Sequence, residues 1–222
     1  MKKSHIDSHF DRFLLEIREK LLTMAASVEK AIYDAIRALV ERDSDLARQV
    51  IQGDKDIDAQ EVALEERCIR LLAMRQPMAS DLRFVATAIK INADLERIAD
   101  NAVNIAERAL ELNQEPMLKP YIDIPRMSDT ARSMLRDTLD AFVNQDADMA
   151  IEVIKTDEVV DDLNSQIFRE LLTFMMEDPH TIPRAIRIMF VSKYLERIAD
   201  HATNIAEMVV FMATGRSVRH EL

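Results

Sequence analysis

The sequence predicts an all-α fold made of two similar three-helix bundles. Three observations carry this. Only two glycines and six prolines interrupt 222 residues that are rich in the better helix formers. The prolines fall at the ends of long apolar-periodic stretches rather than within them. The segment LERIADNAVNIAE, Leu95 to Glu107, returns as LERIADHATNIAE, Leu195 to Glu207, with eleven of thirteen positions identical. Shared helix composition rarely produces such a match, so it marks an internal duplication.

The expected helices are 5–42, 45–75 and 80–113, then 125–144, 147–176 and 182–214. Pro77 separates the second from the third. Pro116, Pro120 and Pro125 occupy the middle, and Pro179 and Pro183 mark the last break. Asp43 or Ser44 and Asp146 suit helix N-caps, and Gly215 suits a helix stop. The stretch from Ala38 aligns with that from Ala141 at an offset of 103, and the quoted motif aligns at an offset of 100. The organisation read from this is a first bundle over 1–115, a linker over 116–124 and a second bundle over 125–222. Leu95, Ile98, Ala102, Ile105 and Ala109 recur at alternating three- and four-residue spacing, as do Leu195, Ile198, Ala202, Ile205 and Val209. That is the seam of a bundle helix.

Composition narrows the function. A formal net charge of −11 with no cluster of basic and aromatic residues argues against direct nucleic-acid binding. The apolar runs are short of the ~20 residues that a bilayer span needs, and no secretory leader pattern follows Met1, so a cytoplasmic location is expected. The single cysteine, Cys68, suits a reducing compartment and a core position. No P-loop, dinucleotide fingerprint, nucleophile elbow or Cys/His nucleophile pattern is present, so no enzyme activity is expected.

The polar faces hold the chemistry. At about 100° per residue, Glu96, Asp100 and Glu107 share one side of their helix with Asn104 beside them. Glu196, Asp200, Asn204 and Glu207 repeat the stripe. The preceding helix carries Asp54, Asp58, Glu61 and Glu65, whose counterparts at offset 103 are Asp157, Asp161, Asn164 and Phe168.

In an antiparallel hairpin, residues equidistant from the turn lie at one height. The pairs Asp54/Asp100 and Asp58/Glu96 both centre on Pro77; Asp157/Asp200 and Asp161/Glu196 both centre beside Pro179. If the stripes face one groove, each bundle gathers four carboxylates. Two such groups about 5 Å apart near a surface repel by ~3 kcal/mol at an effective dielectric of about 20, so the set calls for a shared proton or a cation. An all-oxygen donor set favours a hard ion, Mg²⁺, Mn²⁺, Ca²⁺ or iron. Glu61, Asn104, Glu107, Asn204 and Glu207 lie near enough along the stripes to be additional ligands.

Other readings stand beside this one, among them a metal-storage or redox protein that uses the same carboxylates and a metal-free helical adaptor. A solvated acidic face ion-paired with Arg97, Arg197 or Lys55 needs no metal. A di-iron oxidase would need Glu-x-x-His on bundle helices, and the one such spacing, Glu177 to His180, falls at the loop of Pro179. His201 points away from Asp200 around the helix, which favours a surface role over ligation.

Five motifs, GDKDID at Gly53, RQPMASDLR from Arg75, DLERIADNAVNIAE from Asp94, FMMEDPHTI from Phe174 and YLERIADHATNIAE from Tyr194, give the whole chain a close resemblance to the PhoU family. The family is that of phosphate-specific transport system accessory proteins. The resemblance implies two three-helix bundles with E(D)xxxD pairs that hold metal ions, here Asp54, Asp58, Glu96 and Asp100 in one site and Asp157, Asp161, Glu196 and Asp200 in the other. It also implies a negative regulator of phosphate uptake and of the phosphate-starvation response, linking the phosphate transporter ATPase subunit to a sensor histidine kinase. Such a protein is expected to be a cytoplasmic homodimer that meets the membrane only through those partners. Where family motifs often read Glu-Arg-Ile-Gly-Asp, this chain has Ala99 and Ala199, a change that leaves the carboxylates in place.

Overall fold

The computed structural model describes residues 5–74 and 79–218. Among these residues six helices follow one another: α1 His5–Val40, α2 Ser44–Met74, α3 Ser80–Leu112, α4 Asp123–Asn144, α5 Ala147–Glu177 and α6 Ile182–Thr214, with a 3₁₀ turn, Pro179–Thr181, before α6. Among the described residues there is no strand. Each of α1, α2 and α3 packs on the other two, as do α4, α5 and α6, so the expected pair of three-helix bundles is present. The bundles join along α3 against α6 and, less extensively, α1 against α4. Pro77, expected to mark the first hairpin, lies outside the described residues.

The two short turns show the duplication in the backbone itself. Arg42 and Gln145, 103 positions apart, both adopt the left-handed conformation, with φ of 58° and 54°. Immediately afterwards the Asp43 and Asp146 amides donate to the carbonyls of Ala38 and Ala141, both at 2.9 Å, closing the preceding helix. Each aspartate then caps the next helix. Asp43 Oδ1 accepts from the amides of Asp45 and Leu46 at 3.0 and 2.9 Å, and Asp146 Oδ1 from that of Met149 at 3.0 Å.

The connection between the bundles, residues 113–122, is firmly held. Asp123 and Ile124 already belong to α4, because a proline within the first helical turn gives up an amide that has no intrahelical partner. Residues 113–122 are clasped from both sides. The Arg42 guanidinium donates to the carbonyls of Asn113 and Glu115 at 2.8 and 2.6 Å, Arg184 donates to that of Pro116 at 2.9 Å, and the buried Lys119 pairs with Glu170 on α5.

All ten seam residues named above, from Leu95 to Val209, are fully buried, which fixes how α3 and α6 are rotated about their axes. Ala99 and Ala199 are buried with them. Phe84 of α3 stacks on the buried Phe142 of α4 at 5.4 Å, and Arg132 lies over the Tyr33 ring while pairing with Glu29, so aromatic and charged contacts both tie the bundles together. No helix among the described residues is long and apolar enough to cross a membrane.

A left-handed residue other than glycine costs about 1 kcal/mol or more. Gln145 is exposed, so Gln145→Gly is expected to stabilise the protein by about 0.5–1 kcal/mol in urea unfolding. Arg42→Gly is expected to bring no gain, since it sacrifices the two linker hydrogen bonds.

Candidate functional site

The burial of Leu95, Ile98 and Ala102 turns Glu96 and Asp100 towards α2, and the same seam on α6 turns Glu196 and Asp200 towards α5. The structure brings the stripes together. Asp54 is held above the ordinary aspartate value by burial first, and then by Asp58 on its own helix and Asp100 across the groove. Glu96 is raised by burial, then by Asp100, with smaller contributions from Glu61 and Asp58 of α2. Glu61 is raised by burial, then by Glu65 and Asp58.

The second groove couples its acids more tightly. Burial, followed by Asp200, Asp161 and Glu196, pushes Asp157 up to about 6, while the neighbouring Thr203 hydroxyl works in the other direction. Asp161 is raised by burial, then by the nearby carboxyls of Glu196 and Asp200, against the opposing charge of Lys193. Asp200 is raised by burial and then by Glu196, against the opposing charges of Lys193, His201 and Arg197.

Side-chain cations also reach these acids. Arg97 lies 3.4 Å from Glu96 and 3.2 Å from Asp100, and Lys193 is ion-paired with Glu196. Arg197 instead sits over the Tyr194 ring. Among the described residues no three acidic, imidazole or thiol side chains are set to hold a metal ion. The donor chemistry nevertheless fits a hard cation: only oxygen donors from two helices, with protonation favoured by mutual repulsion. To bind one, the outer acids would have to turn from Arg97 and Lys193.

The additional ligands divide. Glu61 stays with the first set. Glu107 lies 3.6 Å from Arg108, and Asn104 is half-buried on α3. Asn204 and Glu207 line a different cavity of about 500 Å³ between α3 and α6, together with Lys90, Asp94 and Arg97. His201 is not a simple surface residue: its Nδ1 lies 2.7 Å from Asp94 across the bundle junction, with both side chains largely buried. His180 is almost fully exposed in the 3₁₀ turn and pairs with Asp178, away from any bundle interior. Lys193 was legible at i,i+3 from Glu196; the Asp94–His201 contact, between residues 107 apart, had no local signal.

The raised Asp157 sets a pH dependence. Its folded pKa exceeds the unfolded one, so its contribution to stability is present below about pH 4 and is lost as the pH rises through about 6. In chelator, wild-type stability is expected to fall over that window relative to Asp157→Asn. The differential is about 1 kcal/mol once the partial exposure of the group is discounted. Urea unfolding at pH 4 to 7 measures it, and parallel curves for the two proteins would contradict it.

The fold and its repeat have counterparts among known proteins. The PhoU domain family matches residues 21–109 and again 124–209, one copy in each bundle. The phosphate-specific transport system accessory protein PhoU homolog of Pseudomonas putida is 44% identical over 217 residues, covering 97% of this chain and 85% of that protein. The Escherichia coli (strain K12) accessory protein PhoU is 40% identical over 216 residues, covering 97% and 90%. The crystal structure of PhoU from Pseudomonas aeruginosa superposes with a TM-score of 0.90 at 42% identity, over 93% of this chain and 100% of that one. Twice-repeated domain, full-length relatives and matching fold agree, and the chain belongs to the PhoU family.

Proposed function

We propose that this protein is a cytoplasmic, non-catalytic negative regulator of phosphate uptake and of the phosphate-starvation response. It acts as a metal-binding helical adaptor between a phosphate transporter ATPase subunit and a sensor histidine kinase, and does so as a homodimer. The observation that supports this reading above the others is near full-length kinship with proteins named as accessories of the phosphate-specific transport system. The two coupled carboxylate sets supply a physical means of action.

In the adaptor reading, Asp54, Asp58, Glu96 and Asp100 hold one hard ion or cluster, and Asp157, Asp161, Glu196 and Asp200 hold another. A bound divalent or trivalent cation supplies positive charge that offsets the repulsion across each groove. The chain's own contribution is to hold α2 against α3 and α5 against α6 by their seams, so that the carboxylates meet across each groove. Ligation then favours one helix rotation, and a partner that recognises that rotation is favoured with it.

Metal analysis of the protein titrated with Mn²⁺ or Mg²⁺ tests the sites. Asp100→Ala is expected to remove binding at the first and Asp200→Ala at the second, with at least a tenfold loss of affinity at each; unchanged stoichiometry and affinity in both variants would eliminate them. At ion concentrations a hundredfold above Kd, the wild type should gain about 2.7 kcal/mol of stability.

The contacts of Arg97 and Lys193 with the outer acids favour a second reading, a metal-free adaptor whose acids remain ion-paired. The same titration separates the two. For the regulatory role, deletion of the gene is expected to leave phosphate-responsive transcription and uptake high in abundant phosphate. Normal repression in the deletion strain would refute the assignment.

A further inference from the structure

The α5–α6 groove changes character along its length. On α5 the stripe that starts with Asp157 and Asp161 continues at helical spacing through Asn164 to Phe168, Leu172 and Met176. On α6 the line that ends in Glu196 and Asp200 begins with Ile182, Ile186 and Phe190. All six apolar side chains are exposed, by 38–76%. Phe168, Ile186, Met189 and Phe190 line an open depression of about 300 Å³, with Asn164 and Lys193 at its edge. The groove therefore has an apolar half and an acidic half.

The first repeat serves as an internal control. Its equivalent positions are Glu65, Ile69 and Ala73 on α2 and Leu82, Ala86 and Lys90 on α3. Two of these six, Ile69 and Leu82, are large, apolar and exposed, whereas Glu65, Ala73, Ala86 and Lys90 are charged or small, so packing of the fold does not demand the full apolar set. On α6, Ala185, Ile188 and Val191 face the core, while Arg187 reaches Glu111 and Glu115 near the linker at 2.7 and 2.8 Å. A helix segment that is apolar around so much of its circumference belongs in a covered setting. Its one open line is the Ile182/Ile186/Phe190 edge.

Charge indicates what covers it. The chain is strongly acidic, and Lys193 already shows a cation at the junction of the two halves, paired with Glu196. A second copy of the chain would bring an identical acidic half and no basic run to meet these carboxylates. We propose that this groove docks a helical segment of another protein that carries an apolar cluster followed, within about two turns, by lysines or arginines. The apolar anchors fill the depression and the basic groups reach Asp161 and Glu196, a helix-in-groove contact with a charged end. The proposal gives the metal-free form of the adaptor reading a place and a chemistry for one partner, since the basic groups take the carboxylates of Asp161 and Glu196 that an ion would otherwise hold.

The probe is a fluorescein-labelled designed helix of about 18 residues, with leucines at i, i+3, i+4 and i+7 followed by lysines, and a twin with glutamates in place of the lysines. Anisotropy is read in chelator at near-physiological salt. The lysine peptide is expected to bind at least tenfold tighter than its twin. Phe168→Ser with Ile186→Ser, or Phe168→Ala alone, should weaken it at least tenfold and threefold respectively, with helicity by circular dichroism unchanged. Ile69→Ser with Leu82→Ser in the first hairpin should change it by less than twofold. Equal losses in the two hairpins, or equal binding of the two peptides, would overturn the proposal. So would a dimer in sedimentation that the Phe168/Ile186 variant abolishes, which would assign the face to a second copy.

Discussion

The rotation of α3 and α6 about their own axes is the constraint on which the carboxylate grooves depend. Both helices are buried on more than one side: each packs on two helices of its own bundle and on the other. Buried and mostly apolar residues therefore occupy several of their faces and confine the acidic stripes to an outer one. The strip that remains faces α2 in one bundle and α5 in the other. Apolar burial, at about 25 cal/mol per Å², thus holds like charges in proximity that they would not adopt alone. The raised pKa of each of Asp54, Glu96, Asp157 and Asp200 is the electrostatic counterpart of that packing.

Much of this was legible in the sequence, for reasons that differ by element. Long helices with proline and aspartate at their ends have strong local signals, so α2, α3, α5 and α6 lie within a residue or two of their expected spans. The heights of the acids could be read because antiparallel hairpins preserve distance from the turn. Their facing one another could not, since that depends on helix rotation and hence on contacts far apart in the chain. The left-handed Arg42 and Gln145 escaped notice because neither is glycine or asparagine, the residues that usually advertise that conformation. Asn204 and Glu207 share the periodicity of Glu196 and Asp200, yet they line the cavity between the bundles. Periodicity alone does not say which neighbour a face meets.

The repeats also show where one template has been put to different uses. The turns and caps at Arg42–Asp43 and Gln145–Asp146 are near copies, as are the seams, because both serve the backbone and the core. Divergence is concentrated on the outer edges of the hairpins: Glu61 and Glu65 extend the acidic stripe in the first, whereas Asn164 and Phe168 end it in the second. The cations differ in kind as well, with Arg97 spanning two acids and Lys193 holding one.

The Asp94–His201 contact has an evolutionary consequence. Under the repeat, the positions equivalent to these two are Tyr194 and Asn101, which offer no charge pair. In an ancestor built from two separate copies of one half-length chain, any substitution would have appeared on both sides of the junction at once. Tandem fusion removed that restriction. Each side of the seam between the halves became free to vary alone, and an acid could settle opposite an imidazole at a single place in the molecule.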